Sequence, residues 1–139
     1  MRRIERTHKQ LLKRAWDAFS LFIRLRDCLK TTGTIDQGKC YTCGRIYHFK
    51  DLQAGHFVRG RGGAVLFDEL GVKAQDEGCN IFRDGEVLIF RKNLVKEVGE
   101  EVVEILESKR WKIKKRSKVE LEALCLYYRQ EHKKLLDKL

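Results

Sequence analysis

The chain has 139 residues, 42% of them hydrophobic, enough for one domain with a modest core of the size that often gains from a structural metal. With 30 Lys+Arg against 20 Asp+Glu its formal charge is +10 and its pI near 9.5, which favours a polyanionic partner. No stretch approaches the roughly 18 apolar residues of a membrane span, and "MRRIERTHKQ" lacks the apolar core of a signal peptide, so a soluble, intracellular chain with no membrane partner is expected.

From Arg3 to about Lys30, Leu12, Ala15, Phe19, Phe22, Ile23, Arg26 (through its stem) and Leu29 recur at steps of three and four, predicting one long amphipathic helix over 1–31. Arg2, Arg3, Arg6, Lys9, Lys13 and Arg14 make its other faces basic. "TTGTIDQG" reads as a loop leading into the pair Cys40 and Cys43, whose C-x2-C spacing is that of a metal knuckle. Between Cys40 and Val58, "RIYHF" and "LQAGHFV" suggest two antiparallel strands, and "RGRGG" a mobile loop near phosphate. After Cys79, "NIFRDGEVLIFRKNLVKEVG" has helical spacing at Ile81, Leu88 and Val95, despite Gly85, and stops at Gly99. The module over 39–98 is therefore strand, strand, loop, helix. Over 100–139, "EEVVEILESKR" is a short helix, and the capping box "SKVE" from Ser117 opens a last helix with a stripe at Leu121, Leu124, Tyr128, Leu135 and Leu136. The expected fold is α+β, mostly helical, in a single domain over 1–139.

Five cysteines in a reducing compartment point to metal binding before disulfides, with Cys28 and Cys125 as buried small hydrophobes. Hydrolysing a phosphodiester needs a base for water, a divalent ion on the phosphate and leaving oxygen, and a positive group on the other oxygens. His56, Asn80 and Arg83 can supply parts of these: an imidazole largely neutral at pH 7, an amide oxygen beside a metal-ligating cysteine, and a guanidinium. A histidine simply packed at a strand end is the bland alternative for His56.

The runs "LFIRLRDCLKTTGTIDQGKCYTCG", "LQAGHFVRGRGGAVLFDE" and "AQDEGCNIF" resemble the phage lambda NinG (Rap) recombination endonuclease family, a branch of the HNH or His-Me finger nucleases. The resemblance covers residues 19 to 90. It implies a small ββα-metal core with a zinc knuckle, flanked by the N-terminal and C-terminal helices, in a phage protein of the bacterial host's cytoplasm that cleaves Holliday junctions and displacement loops. By motif, His56 is similar to the family's general base, Asn80 to its catalytic-ion position, and Cys40, Cys43 and Cys79 to its zinc ligands. The family reads Q-C-x2-C-N where this chain reads Gln75-Asp76-Glu77-Gly78-Cys79-Asn80, so Asp76 stands in the missing cysteine's place, with His48 as competitor for the fourth ligand and a lost zinc site as a third reading. Lys73, Gly63 and Glu86 stand where the family leads one to expect His, Asn and Asn.

For DNA, the basic groups beyond the first helix are Arg59 and Arg61 in the glycine loop, Lys73, and the segment Lys109, Arg110, Trp111, Lys112, Lys114, Lys115 and Arg116, where an aromatic side chain interleaves with charge. The leading expectation is an endonuclease for branched DNA using structural Zn2+ and catalytic Mg2+ or Mn2+, as a possible homodimer. The alternative is a weakened or inactive DNA-binding accessory on the same scaffold, and a third reading makes the terminal stripe around Tyr127, Tyr128 and Leu135 a protein-interaction platform.

Overall fold

The computed structural model describes residues 4–60 and 62–139; Arg2, Arg3 and Arg61 lie outside them. The first helix, α1, spans His8–Thr32 and starts later than its apolar spacing suggests, because Thr7-x-x-Gln10 closes a reciprocal capping box. Gly33 ends it in the left-handed conformation, donating its N–H to the Leu29 carbonyl. The last helix, α4 (Lys118–Asp137), is capped by the Ser117 hydroxyl, which accepts from the Glu120 N–H. It lies alongside α1 in the same direction: His8 meets the Arg116 carbonyl at one end, and Phe19 and Phe22 meet Tyr128 further along. Leu11, Phe19, Phe22, Ile23, Leu121, Cys125 and Tyr128 form this core with Ala54 and Val72 of the sheet. Each large side chain buried there stabilises by about 1.5–3 kcal/mol.

The strands pair differently from the sequence expectation. Short β1 (Gln37–Lys39), inside the segment read as loop, pairs antiparallel with β2 (Ile46–His48). After a 3-10 turn at Phe49–Asp51, β3 (Leu52–His56) pairs not with β2 but with β4 (Val72–Asp76), in the register Leu52↔Asp76 to His56↔Val72. Fifteen residues separate those two strands, closed at the base by Phe57 N–H to the Gly71 carbonyl at 2.8 Å. Leu52, Ala54, Val72 and Ala74 face α1, and Lys73 and Gln75 face the other way.

The continuous helix expected after Cys79 is broken. Gly78–Phe82 is a single π turn, residues 83–86 form a tight loop, and α2 begins at Val87 and runs to Val98. Asp84, Gly85 and Glu86 all have positive φ (49°, 81° and 51°), which no α-helix accommodates. Ile81 and Leu88, read as a buried stripe, are exposed; Phe90 and Leu94 are buried instead, with Phe57, Val58, Val65 and, from α3 (Glu100–Ser108), Val103 and Leu106. The basic segment after α3 lies along the glycine loop, with a bridge Gly63↔Ile113 and Lys114 N–H donating to the Gly62 carbonyl at 2.7 Å. A Cβ at Gly60 or Gly62 would collide with the Arg110 or Lys112 carbonyl, so these glycines serve close backbone approach.

Arg26, read as contributing its stem, instead donates to the Glu69 and Val72 carbonyls at 2.8 and 2.9 Å, and buried Asp27 accepts the Ala74 N–H at 2.7 Å. Helix and sheet are stitched by this pair. Asp27→Ala strands a buried N–H and is expected to cost about 3 kcal/mol, read as a lower urea midpoint at unchanged slope; an unchanged midpoint refutes the stitch.

Candidate metal centre and adjacent cleft

Cys40 and Cys43 lie on the turn between β1 and β2, Asp76 ends β4 and Cys79 sits in the π turn. Their ligand atoms all lie within 4.8 Å of one another, with Cys43 Sγ 3.5 Å from Asp76 Oδ1. A tetrahedral ion with bonds of about 2.0–2.3 Å needs ligands about 3.3–3.8 Å apart, so small adjustments seat a zinc. Three soft thiolates with one carboxylate fit that ion. Burial opposes ionisation of Asp76, but hydrogen bonds from the three thiols outweigh it and hold its carboxyl below the usual range. Asp76 thus joins the three cysteines, whereas His48 is exposed and caps a turn, accepting the Lys50 N–H at 3.2 Å. Cys28 and Cys125 are buried away from the cluster, as small hydrophobes.

The π turn that carries Cys79 delivers the next residue, Asn80, to a neighbouring cleft of about 340 Å³ lined by Ala54, His56, Val58, Arg59, Gly60, Val65, Leu66 and Asn80. His56 ends β3, half-buried, its ring stacked on Trp16 of α1 at 5.1 Å between centroids. Its Nε2 lies 3.0 Å from the Leu66 carbonyl. A carbonyl only accepts, so Nε2 carries the proton and Nδ1 keeps its lone pair. Burial, aided by nearby Arg59, pulls the imidazole below its ordinary pKa despite that hydrogen bond, so the ring is neutral at pH 7.

Asn80 is locked from both sides. Its amide donates to Gln53 Oε1 at 2.8 Å, while Arg59 donates to both its backbone carbonyl and its Oδ1, the latter at 3.2 Å. Gly55 lies below: a Cβ there would collide with Gln75 Oε1 and crowd Asn80 Oδ1. Gln75 is fully buried, donating to Thr42 Oγ1 and the Gly85 carbonyl, and its Oε1 has no hydrogen-bond partner among the described residues. No carboxylate lines the cleft among the described residues, and Arg59 already holds the Asn80 oxygen. This donor set does not fit a hard divalent ion, which favours several carboxylate or carbonyl oxygens.

Other expected residues fall elsewhere. Arg83 is not in the cleft; its Nη2 donates to Cys79 Sγ at 3.4 Å, and its other partners are Glu86 at 3.3 Å and Asp76 at 4.0 Å. Lys73, expected to face DNA, is only 4% exposed, with its ammonium 2.9 Å from Glu97 Oε1 and over the Tyr41 ring. Although burial opposes it, Glu97 collects Lys30, Lys73 and the Tyr41 hydroxyl and is held down to about 2, while burial outweighs the pairing for Lys73 and lowers its pKa. Arg110, Trp111, Lys112, Lys114 and Lys115 are exposed. Arg116 instead donates to the Gly63 carbonyl and covers Phe67, and Lys109 reaches toward Asp68 at 3.9 Å. Lys114, Lys115 and Arg116 line a groove of about 590 Å³ that shares Gly60 and Leu66 with the His56 cleft. The reading from sequence missed Gln53, Gln75 and Trp16; only Gln75 carries a signal there, as the first residue of the Q-C-x2-C-N pattern.

A model of the family described as Bacteriophage Lambda NinG protein matches residues 2–138. Two curated relatives, "Protein ninG" of Escherichia phage 933W and "Protein ninG" of Enterobacteria phage VT2-Sa, are each 29% identical over 129 residues, covering 89% of this chain. The chain spans 57% of the length of these relatives. No solved structure matches the chain.

One zinc per chain is expected, with Asp76→Cys holding it more tightly and Cys43→Ala more weakly in chelator competition. Protein that purifies without zinc, at an unchanged melting temperature after zinc addition, refutes the centre. Lys73→Ala is expected to cost about 2 kcal/mol of stability and leave DNA affinity unchanged, read by thermal melting beside fluorescence anisotropy.

Proposed function

The chain belongs to the NinG family, and from that premise we propose that it is a structure-selective DNA endonuclease of the HNH, or His-Me finger, type, cleaving branched recombination intermediates such as Holliday junctions and displacement loops. The observation that carries the reading is one cleft shared by His56, Arg59 and Asn80, opening into a groove edged by Lys114 and Lys115. In this reading β3, β4 and the chain from Gly78 to Val98 are the ββα core, and the zinc knuckle holds its corner. DNA would be met in the cytoplasm of the bacterial host, along exposed Arg110, Trp111, Lys112, Lys114 and Lys115, through its backbone and shape and not through a base code.

The chemistry falls to a neutral imidazole and a guanidinium. His56, with Nε2–H held by the Leu66 carbonyl, takes a proton from the attacking water at Nδ1. Arg59 gathers charge on the phosphate oxygens as the bond to the leaving oxygen breaks. Asn80 orients Arg59 in return. The magnesium or manganese ion expected from the sequence would need most of its ligands from phosphate oxygens and water, since the cleft lacks carboxylates.

That shortage favours a second reading, a DNA-binding recombination accessory on the same scaffold. Both are tested with a labelled four-way junction and a linear duplex, with magnesium or manganese, comparing the parent with His56→Ala. The endonuclease predicts product on the junction, lost by a factor of about 10² or more in His56→Ala, with affinity unchanged. Because the pKa of His56 is lowered, its base form persists as pH falls, so the rate should decline only below the usual imidazole range near 6.5. A folded parent that binds the junction and yields no product leaves the accessory reading.

A further inference from the structure

The π turn and tight loop beside the cleft carry a second feature that catalysis does not use. Immediately after Asn80, Ile81 is 50% exposed, Phe82 76% and, across the loop, Leu88 86%. Val87 and Ile89, on the first turn of α2, are also exposed. Three consecutive left-handed residues, two of them not glycine, are costly, and a π turn is an uncommon local form that clusters at functional sites. This backbone is nevertheless held firmly: Gly85 N–H donates to the Cys79 carbonyl at 2.7 Å, Gln75 donates to the Gly85 carbonyl at 2.9 Å, and Arg83 pairs with Glu86. Strain and anchorage are spent on presenting Phe82 and Leu88 to the outside. They add nothing to the core.

We propose that this tip, with Phe82 at its centre, is a stacking wedge that receives an unstacked base at a DNA branch point while the adjoining phosphodiester lies in the His56 cleft. This rests on the DNA reading above and names the feature of the substrate that is selected. Two observations identify the occupant. The tip adjoins the cleft along the chain, since one π turn carries Asn80 in the cleft wall and, two residues further on, exposed Phe82. Its charge also suits a base better than a backbone: the one cation beside Phe82, Arg83, is turned onto Cys79 and Glu86, and Asp84 adds a negative charge next to it, so the tip offers a phosphate chain no free cation among the described residues, whereas the face of a neutral base needs none. Intact duplex presents only the phosphate chain. A branch point offers unstacked bases at little cost, and apolar wedges hold such bases by stacking.

The experiment compares the parent, Phe82→Ala and Phe82→Trp on a four-way junction with 2-aminopurine at the branch and on a blunt linear duplex, reading anisotropy and 2-aminopurine fluorescence. Phe82 is mostly exposed, so neither change threatens folding, and circular dichroism verifies this. Stacking predicts that Phe82→Ala loses about tenfold in junction affinity and less than twofold on duplex, with the fluorescence change abolished and Phe82→Trp restoring both. Parent that binds neither DNA overturns the DNA reading and the wedge with it. Parent that prefers the junction while Phe82→Ala binds it equally well overturns the wedge alone. If Phe82→Ala instead abolishes self-association in sedimentation at unchanged DNA affinity, the tip belongs to a second copy of the chain and the wedge is wrong.

Discussion

Everything near the cleft depends on the burial of β4. All five of its residues, Val72 to Asp76, are enclosed, yet three of them are polar. A buried polar group without a partner costs about 1–3 kcal/mol, so the strand is tolerated because its surroundings answer its polar groups, with Gln75 Oε1 the exception among the described residues. Arg26 takes the Val72 carbonyl, Asp27 the Ala74 N–H, Glu97 the Lys73 ammonium, Thr42 and the Gly85 carbonyl the Gln75 amide, and the thiols of the knuckle the Asp76 carboxylate. These partners come from α1, α2, the knuckle and the left-handed loop. One strand therefore sets the mutual position of four pieces of chain.

The same logic separates what could be read in the sequence from what could not. C-x2-C, Gly55-His56 and Cys79-Asn80 are local patterns whose chemistry needs those residues side by side, and the structure brings the cysteines, His56 and Asn80 to adjoining sites. The amphipathic stripes of α1 and α4 are mostly legible for a similar reason, because each helix buries an apolar face, although Leu136 of the expected α4 stripe is exposed. "VKAQD" defeats periodicity: its polar residues signal exposure, and only partners far away in sequence make their burial affordable. Lys73 is misread on that account, as a basic contact, when it is the buried half of a pair with a residue 24 positions later. The broken helix after Cys79 escapes because its spacing at Ile81 and Leu88 mimics a core stripe, while only Gly85 hints at the turn.

The knuckle and the cleft are mechanically one object. Cys79 and Asn80 are neighbours in the π turn, Thr42 of the knuckle holds Gln75, and Gln75 fills the space over Gly55 at the foot of the cleft. A change in the Cys40, Cys43, Asp76 and Cys79 cluster, such as a carboxylate in place of a thiolate, is thus two or three contacts away from the amide of Asn80. Arg83 belongs to this coupling, bridging Cys79 and Glu86 on either side of the left-handed loop. Its place is structural support for the turn.

The parallel pairing of α1 with α4 bears on the order in which the chain becomes a protein. Phe19 and Phe22 find their cover in Tyr128, more than a hundred positions later, and the start of α1 finds Arg116. Loop closure over such a span is slow compared with helix formation. During synthesis β3, β4 and Phe67 can cover part of the apolar stripe of α1, but the side that meets Leu121, Cys125 and Tyr128 stays bare until α4 is made. A ribosome stalled between α1 and Leu121 would release a product in which part of the apolar stripe of α1 stands uncovered beside its basic faces.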